Sequence, residues 1–170
     1  MGMNIFVLDL NPEQAARDLD CVRLPKMCVE SAQMMASALR RHGATDEQMP
    51  LTKAGKPYRG GYKHHPCTVW AGDTLGNFIW LAAHGIAQCN EYRIRFNKQH
   101  ACEEPIVAMA KLFHVVPVGA RTPFAQAMPD EYKHDDPVVA YRRYYQSKTN
   151  SPGGVHYRHT TPPAWWEVSA

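Results

Sequence analysis

Three short stretches of this sequence bring together residue types that do chemistry. In "RLPKM", residues 23–27, Pro25 fixes a helix start and leaves Arg23 and Lys26 at its N-terminal end. Cations there oppose the helix macrodipole at a cost of ~0.3–1 kcal/mol each, and Lys26 with Glu30 runs in the less favourable i,i+4 order. A bound anion reverses that balance, because free backbone N–H groups and two cations form a phosphate site. The bland alternative is a solvated, charged face. In "AYRRYYQSK", residues 140–148, tyrosines alternate with Arg142, Arg143 and Lys148. Tyrosines at this spacing commonly pack a core. The alternation also suits phosphate contact by Arg142 and Lys148, with base stacking on a ring such as Tyr145.

The third stretch, "YRGGYKHHPCTVWAG" at 58–72, holds His64, His65 and Cys67, while His156 and His159 lie in the tail. Structural zinc sites show two clean ligand pairs, and none is present here. Neither a metal nor a cofactor is expected. Pro66 and Trp70 fit the packed entrance to a helix. His65 is expected to cap it or to position a group in a site lined by the polar stripes described next.

These residues need helices to hold them. Asn11 as N-cap and Pro12 at the first position open a short helix. In 24–42, Leu24, Met27, Cys28, Met34, Met35, Ala38 and Leu39 share one face, and Lys26, Glu30, Gln33 and Ser37 form the opposite stripe. From about Asp73 to Phe96, a core face is read at Leu75, Phe78, Ile79, Ala82, Ile86, Cys89 and Phe96. A polar stripe of His84, Gln88, Glu91 and Arg95 runs beside it in matching register. The two stripes are expected to face a common cleft, because such residues are seldom buried without partners. "EEPIVAMAKLFHVV" and "DPVVAYRRYYQSK" give two further helices, the second capped by Asp136. Residues 4–10 read as a short strand or an extended lead-in.

The fold class that follows is all-α, a mostly helical single-domain bundle over 1–170 with long loops. Residues 43–63 form a polar loop carrying Lys53, Lys56, Arg59 and Lys63, and 149–170 an irregular aromatic tail that Trp165 and Trp166 clamp down. With 45% hydrophobic and 21% charged residues the chain belongs among folded proteins rather than disordered ones. A net charge of +3 permits nucleic-acid binding without requiring it. The apolar stretch "MNIFVLDL" is too short for a membrane span, and the five cysteines show no paired spacing. A reduced, cytoplasmic protein without a membrane partner is expected.

Several of these pieces, in this order, resemble the pyrimidine-dimer DNA glycosylases of the endonuclease V type. Leu24-Pro25-Lys26 is similar to that family's Leu-Pro-Arg at a helix start, and Tyr62-Lys63-His64-His65-Pro66 to its Tyr-x-Asn-His-Pro loop. Glu91 to Arg95 and the closing Trp165-Trp166 match its acidic–arginine helix end and aromatic terminus. The resemblance implies a small helical, phage-type protein, working in a host cytoplasm, whose N-terminal α-amine attacks the sugar C1′ of damaged DNA. Two positions depart from the pattern. The chain begins Met1-Gly2-Met3-Asn4 rather than exposing a threonine, and Arg23 stands where the family has its catalytic glutamate.

The resulting expectation is a DNA glycosylase-like enzyme acting on a damaged or modified base. Glu30 or Glu91 would activate water or stabilise an oxocarbenium-like sugar, with Lys26 as the alternative amine nucleophile and His65 orienting a group. Arg23, Arg95, Arg142 and Lys148 would hold phosphates, Lys53, Lys56, Arg59 and Lys63 would add a basic loop, and Tyr145 a stacking ring. The alternatives are a noncatalytic DNA-binding protein of the same fold and an enzyme that modifies free nucleotides.

Overall fold

The computed structural model describes residues 3–167. Among them are six α-helices and no named strand, so the all-α reading holds. The chain enters as an extended segment, residues 3–8, whose Ile5, Val7 and Leu8 are buried; it is the lead-in, not a strand. Helix α1, Pro12–Arg17, starts as its sequence dictates: Asn11 accepts from the N–H groups of Glu13 and Gln14, and Pro12 has no N–H to satisfy. Helix α2, Leu24–Arg41, follows Pro25 in its first turn. Every core residue read from its periodicity is buried.

The segment read as the entrance to the helix beginning near Asp73 is itself a helix. Helix α3, Pro66–Asp73, is separated from α4, Leu75–Phe96, by Thr74, whose extended backbone breaks the run while its hydroxyl caps α4 through Asn77 N–H. Helix α4 is also turned relative to the face read from its periodicity. Ile79 and Ile86 are exposed at 52% and 39%, whereas His84, Gln88, Glu91 and Arg95 are buried. The reason is that α4 packs against both α1 and α2: α1 carbonyls engage His84 and Arg95, and Ser31 of α2 engages Gln88. Apolar periodicity cannot separate two buried faces when one of them is polar and satisfied.

Helix α5, Glu103–Ala110, packs on α2 and α4, and α6, Pro137–Gln146, is capped by Asp136 at Val138 and Val139 N–H. Between α2 and α3 the polar loop is ordered by an antiparallel bridge between Leu51 and Pro57. The tail crosses the end of α1: Tyr157 donates to the Asp18 carbonyl at 2.7 Å, and Trp165 Nε1 to the Asp18 carboxylate at 2.9 Å. Trp165 and Trp166 both set their rings edge-on to Tyr145.

Candidate active site

Asn4 brings the N-terminal segment against α2. Its side-chain oxygen accepts from the N–H groups of Ile5 and Phe6, each at 2.8 Å, and its amide donates to the Ala127 carbonyl at 3.0 Å. The tight turn puts Phe6 at φ +40°, a conformation that a bulky residue holds only when its surroundings fix it. They do so here: Phe6 stacks on Tyr144 and meets Tyr141 and Tyr145 edge-on. The Asn4 backbone N–H is thereby aimed at Glu30 and donates to Oε1 at 2.8 Å. These groups line a cavity of about 400 Å³ with Arg23, Lys26 and Lys148 on its walls.

The electrostatics of the cavity centre on Glu30. Burial raises its carboxyl to about 7, offset in part by the Asn4 N–H and by Lys26. At neutral pH both protonation states are populated, which suits a group that must take or give a proton. Lys148 Nζ donates to the Tyr144 hydroxyl at 2.9 Å and lies 4.2 Å from the ring centroid, so one wall is a cation held on an aromatic. Arg23 lines the same cavity, but Asp20 engages it at 3.3 Å and the Gly154 carbonyl takes a second bond at 3.0 Å. Its charge is largely answered within the protein. The phenol of Tyr145 is fully buried and donates to Asp20 at 2.5 Å. It cannot stack on a base; the ring that reaches the cavity is its neighbour, Tyr144.

The expected common cleft of the α2 and α4 stripes does not form. Lys26 and Glu30 face the cavity, whereas the α4 stripe is turned into the protein and spent on it. His84 lies between the carbonyls of Pro12 and Ile5, and burial pulls it down to about 4. Gln88 accepts from Ser31 Oγ at 2.7 Å. Arg95 donates to Glu91 at 2.9 Å, to the Leu19 carbonyl at 2.5 Å and to the Arg17 carbonyl at 2.9 Å. With its side chain fully buried, Arg95 is a strut between α4 and the turn after α1, not a phosphate ligand. Glu91 is its counter-charge and lies away from the Glu30 cavity.

Arg142 is likewise tied down, to the Leu8 carbonyl at 2.9 Å and the Asp9 carboxylate at 3.3 Å, beneath the Trp165 ring. His65 caps α3, its Nδ1 accepting from Cys67 N–H at 3.1 Å, and does not reach the Glu30 cavity. Lys53, Lys56, Arg59 and Lys63 are exposed along the polar loop, with Arg59 3.6 Å from Asp46. Met1 and Gly2, which carry the N-terminal amine, lie outside the described residues.

Among the described residues, potential metal ligands come together at Cys28, Cys89 and His100, not at the paired histidines of the loop. Both nitrogens of His100 are already engaged, Nδ1 by Cys102 N–H and Nε2 by the Pro25 carbonyl, each at 3.0 Å. Cys89 and burial push the Cys28 thiol far above its ordinary range. Cys28 and Cys89 are packed in the core where α2 meets α4, with the raised Cys28 thiol held protonated.

The sequence profile of the pyrimidine dimer DNA glycosylases matches residues 3–104, which contain Asn4, Lys26 and Glu30. The chain belongs to this family. No curated protein matches it, and no solved structure matches it. As a member of a DNA glycosylase family, the chain takes DNA as the polymer it acts on, and none of its described helices is long and apolar enough to cross a membrane. Asn4, Phe6 and Tyr144, which shape the cavity, are not marked as site residues by their sequence context. The one available signal is an asparagine inside an otherwise apolar lead-in.

Proposed function

We propose that this member of the pyrimidine dimer DNA glycosylases hydrolyses the glycosidic bond of a damaged pyrimidine, with Glu30 as the catalytic carboxylate. The observation that carries the reading is a carboxyl at about 7 inside a cavity walled by Lys26 and Lys148. Ionised Glu30 takes a proton from water as the water oxygen bonds to the sugar C1′. The C1′–N bond breaks and its electron pair leaves with the base, which is protonated from solvent. The negative carboxylate also opposes positive charge developing on the sugar. Lys26 and Lys148 hold the flanking phosphates, and Phe6 and Tyr144 close the apolar side.

Arg23 occupies the position where the family resemblance places a glutamate, and Glu30 lies about two helical turns further along α2. Both line one cavity, which supports Glu30 as the substitute carboxylate.

The test is a duplex bearing a single pyrimidine dimer, incubated with and without borohydride. Cleavage of the C1′–N bond without a trapped adduct is expected, read as an alkali-labile abasic site because the severed base stays joined to its dimer partner. A trapped adduct that Lys26→Arg abolishes would assign the step to Lys26, because arginine keeps the charge and forms no imine. An adduct that survives this substitution would assign it to the N-terminal amine. Tight binding without any abasic site would leave a noncatalytic DNA-binding protein.

A further inference from the structure

A second and larger cavity, of about 800 Å³, lies at the other end of α2 and shares no lining residue with the Glu30 cavity. Its floor is α2 at Ser37 and Ala38, one wall is the first turn of α3, and the opposite wall is the loop Gly60-Gly61-Tyr62-Lys63.

That loop wall is built closely. Ser37 Oγ donates to the Gly61 carbonyl and accepts from Gly61 N–H, both at 2.9 Å. Gly60 lies at φ +83°, and a Cβ there would come within 2.2 Å of Ser37 Oγ and 2.6 Å of its backbone nitrogen. The chain then leaves in the left-handed region at Tyr62, φ +53°, with the exposed ring on the cavity.

Opposite, Thr68 is 3% exposed, and its hydroxyl has no hydrogen-bond partner. A buried hydroxyl without a partner is uncommon and costs about 1–3 kcal/mol. It lines the cavity in the first turn of α3, the end of a helix that favours anions. Around the rim stand Arg41, held 3.0 Å from Asp73, Arg59, 3.6 Å from Asp46, and Lys63, for which no acidic partner occurs among the described residues. The walls between are mainly apolar.

We propose that this cavity binds a nucleoside monophosphate unit. Its base lies on the apolar floor against the Tyr62 ring, its phosphate meets Lys63 and Arg59, and Thr68 Oγ1 supplies the missing hydrogen bond. The apolar space together with an aromatic face calls for a flat ring, and the cationic rim calls for an anion attached to it. Phosphate alone leaves the floor empty, and a nucleoside alone leaves the rim unanswered.

Calorimetric titration of the full chain with thymidine 5′-monophosphate tests the site, with thymidine and inorganic phosphate as controls. One equivalent of the monophosphate is expected to bind, each control at least tenfold more weakly. Thr68→Val exchanges the hydroxyl for a methyl group of similar size and relieves an unsatisfied group, so it folds; it should raise the melting temperature of the free protein and weaken the monophosphate about tenfold. Tyr62→Leu and Lys63→Gln should each weaken it further than they weaken the controls. Glu30→Gln should bind it as wild type does, so failure of the glycosylase reading leaves this one standing, and the reverse.

Competition with a short single strand identifies the source. Displacement assigns the unit to a strand, and persistence of the bound monophosphate assigns it to free nucleotide. Absence of binding by wild type, or binding that Thr68→Val and Tyr62→Leu leave unchanged, overturns the site.

Discussion

The backbone N–H of Asn4 donates to Glu30 Oε1 at 2.8 Å, across 26 residues of sequence. The bond joins the extended lead-in to the second turn of α2 and fixes the carboxyl at the centre of the proposed chemistry. Asn4 in turn depends on its own side chain, which holds the Ile5 and Phe6 N–H groups and the Ala127 carbonyl.

Removing that side chain should therefore act on stability and activity together. Asn4→Ala leaves two buried N–H groups and a carbonyl without their partners, at a cost of about 1–3 kcal/mol for a group so stranded. Thermal melts should show the loss, and abasic-site formation should fall more than the folded fraction does. Asn4→Asp keeps the acceptor for Ile5 and Phe6 but sets a negative charge near Glu30. It should recover part of the stability and little of the activity.

Glu30 gives a prediction with a definite sign in pH. Its folded carboxyl is raised to about 7 from an ordinary 4.5, so the native state holds the proton more tightly than the unfolded state. The stability this contributes is complete below about pH 4.5 and is lost as pH rises through about 7. Glu30→Gln, which is neutral throughout, should melt higher than wild type at pH 8, and the difference should close towards pH 5. If Glu30 accepts a proton from water, abasic-site formation by wild type should rise from pH 5 to 8 with a midpoint of about 7.

Arg95 and Glu91 should behave as structure alone. Arg95→Met leaves Glu91 buried without its counter-charge and two carbonyls without a donor, a change expected to cost about 3–5 kcal/mol. Denaturant unfolding measures it. Any protein that still folds should keep the salt dependence of DNA binding, because Arg95 touches no phosphate.

The helices that position the site are legible in the sequence because their ends are written locally: Asn11-Pro12, Leu24-Pro25 and Asp136-Pro137 each combine a start signal with an apolar period. Lys26 is legible too, because a cation at a helix start opposes its dipole, and Glu30 because it pairs with Lys26 in the less favourable i,i+4 order. The orientation of α4 is not. His84 and Arg95 of its polar stripe are satisfied by carbonyls of Ile5, Pro12 and Leu19, partners that lie more than 70 residues away and leave no trace in the periodicity. Tyr145 and Arg142 mislead for the same reason. Alternating tyrosines and arginines look alike whether they meet DNA or meet Asp20, Leu8 and Asp9 of their own chain.

The exposed loop cations make a separate prediction about binding. Lys53, Lys56 and Arg59 stand in solvent, and any that meet phosphates displace counterions from the duplex. Changing the three to glutamine should flatten the dependence of log affinity on log salt by roughly one unit of slope for each phosphate no longer neutralised. A slope equal to that of wild type would remove the loop from the interface.

Glu30 is proposed to do the chemistry without being needed to hold DNA. The sharpest test measures abasic-site formation and affinity side by side for wild type and Glu30→Gln on the same dimer-bearing duplex, at about pH 7.5. Abasic-site formation should fall by at least about a hundredfold, with affinity within about threefold of wild type. Formation by Glu30→Gln at the wild-type rate would contradict the assignment.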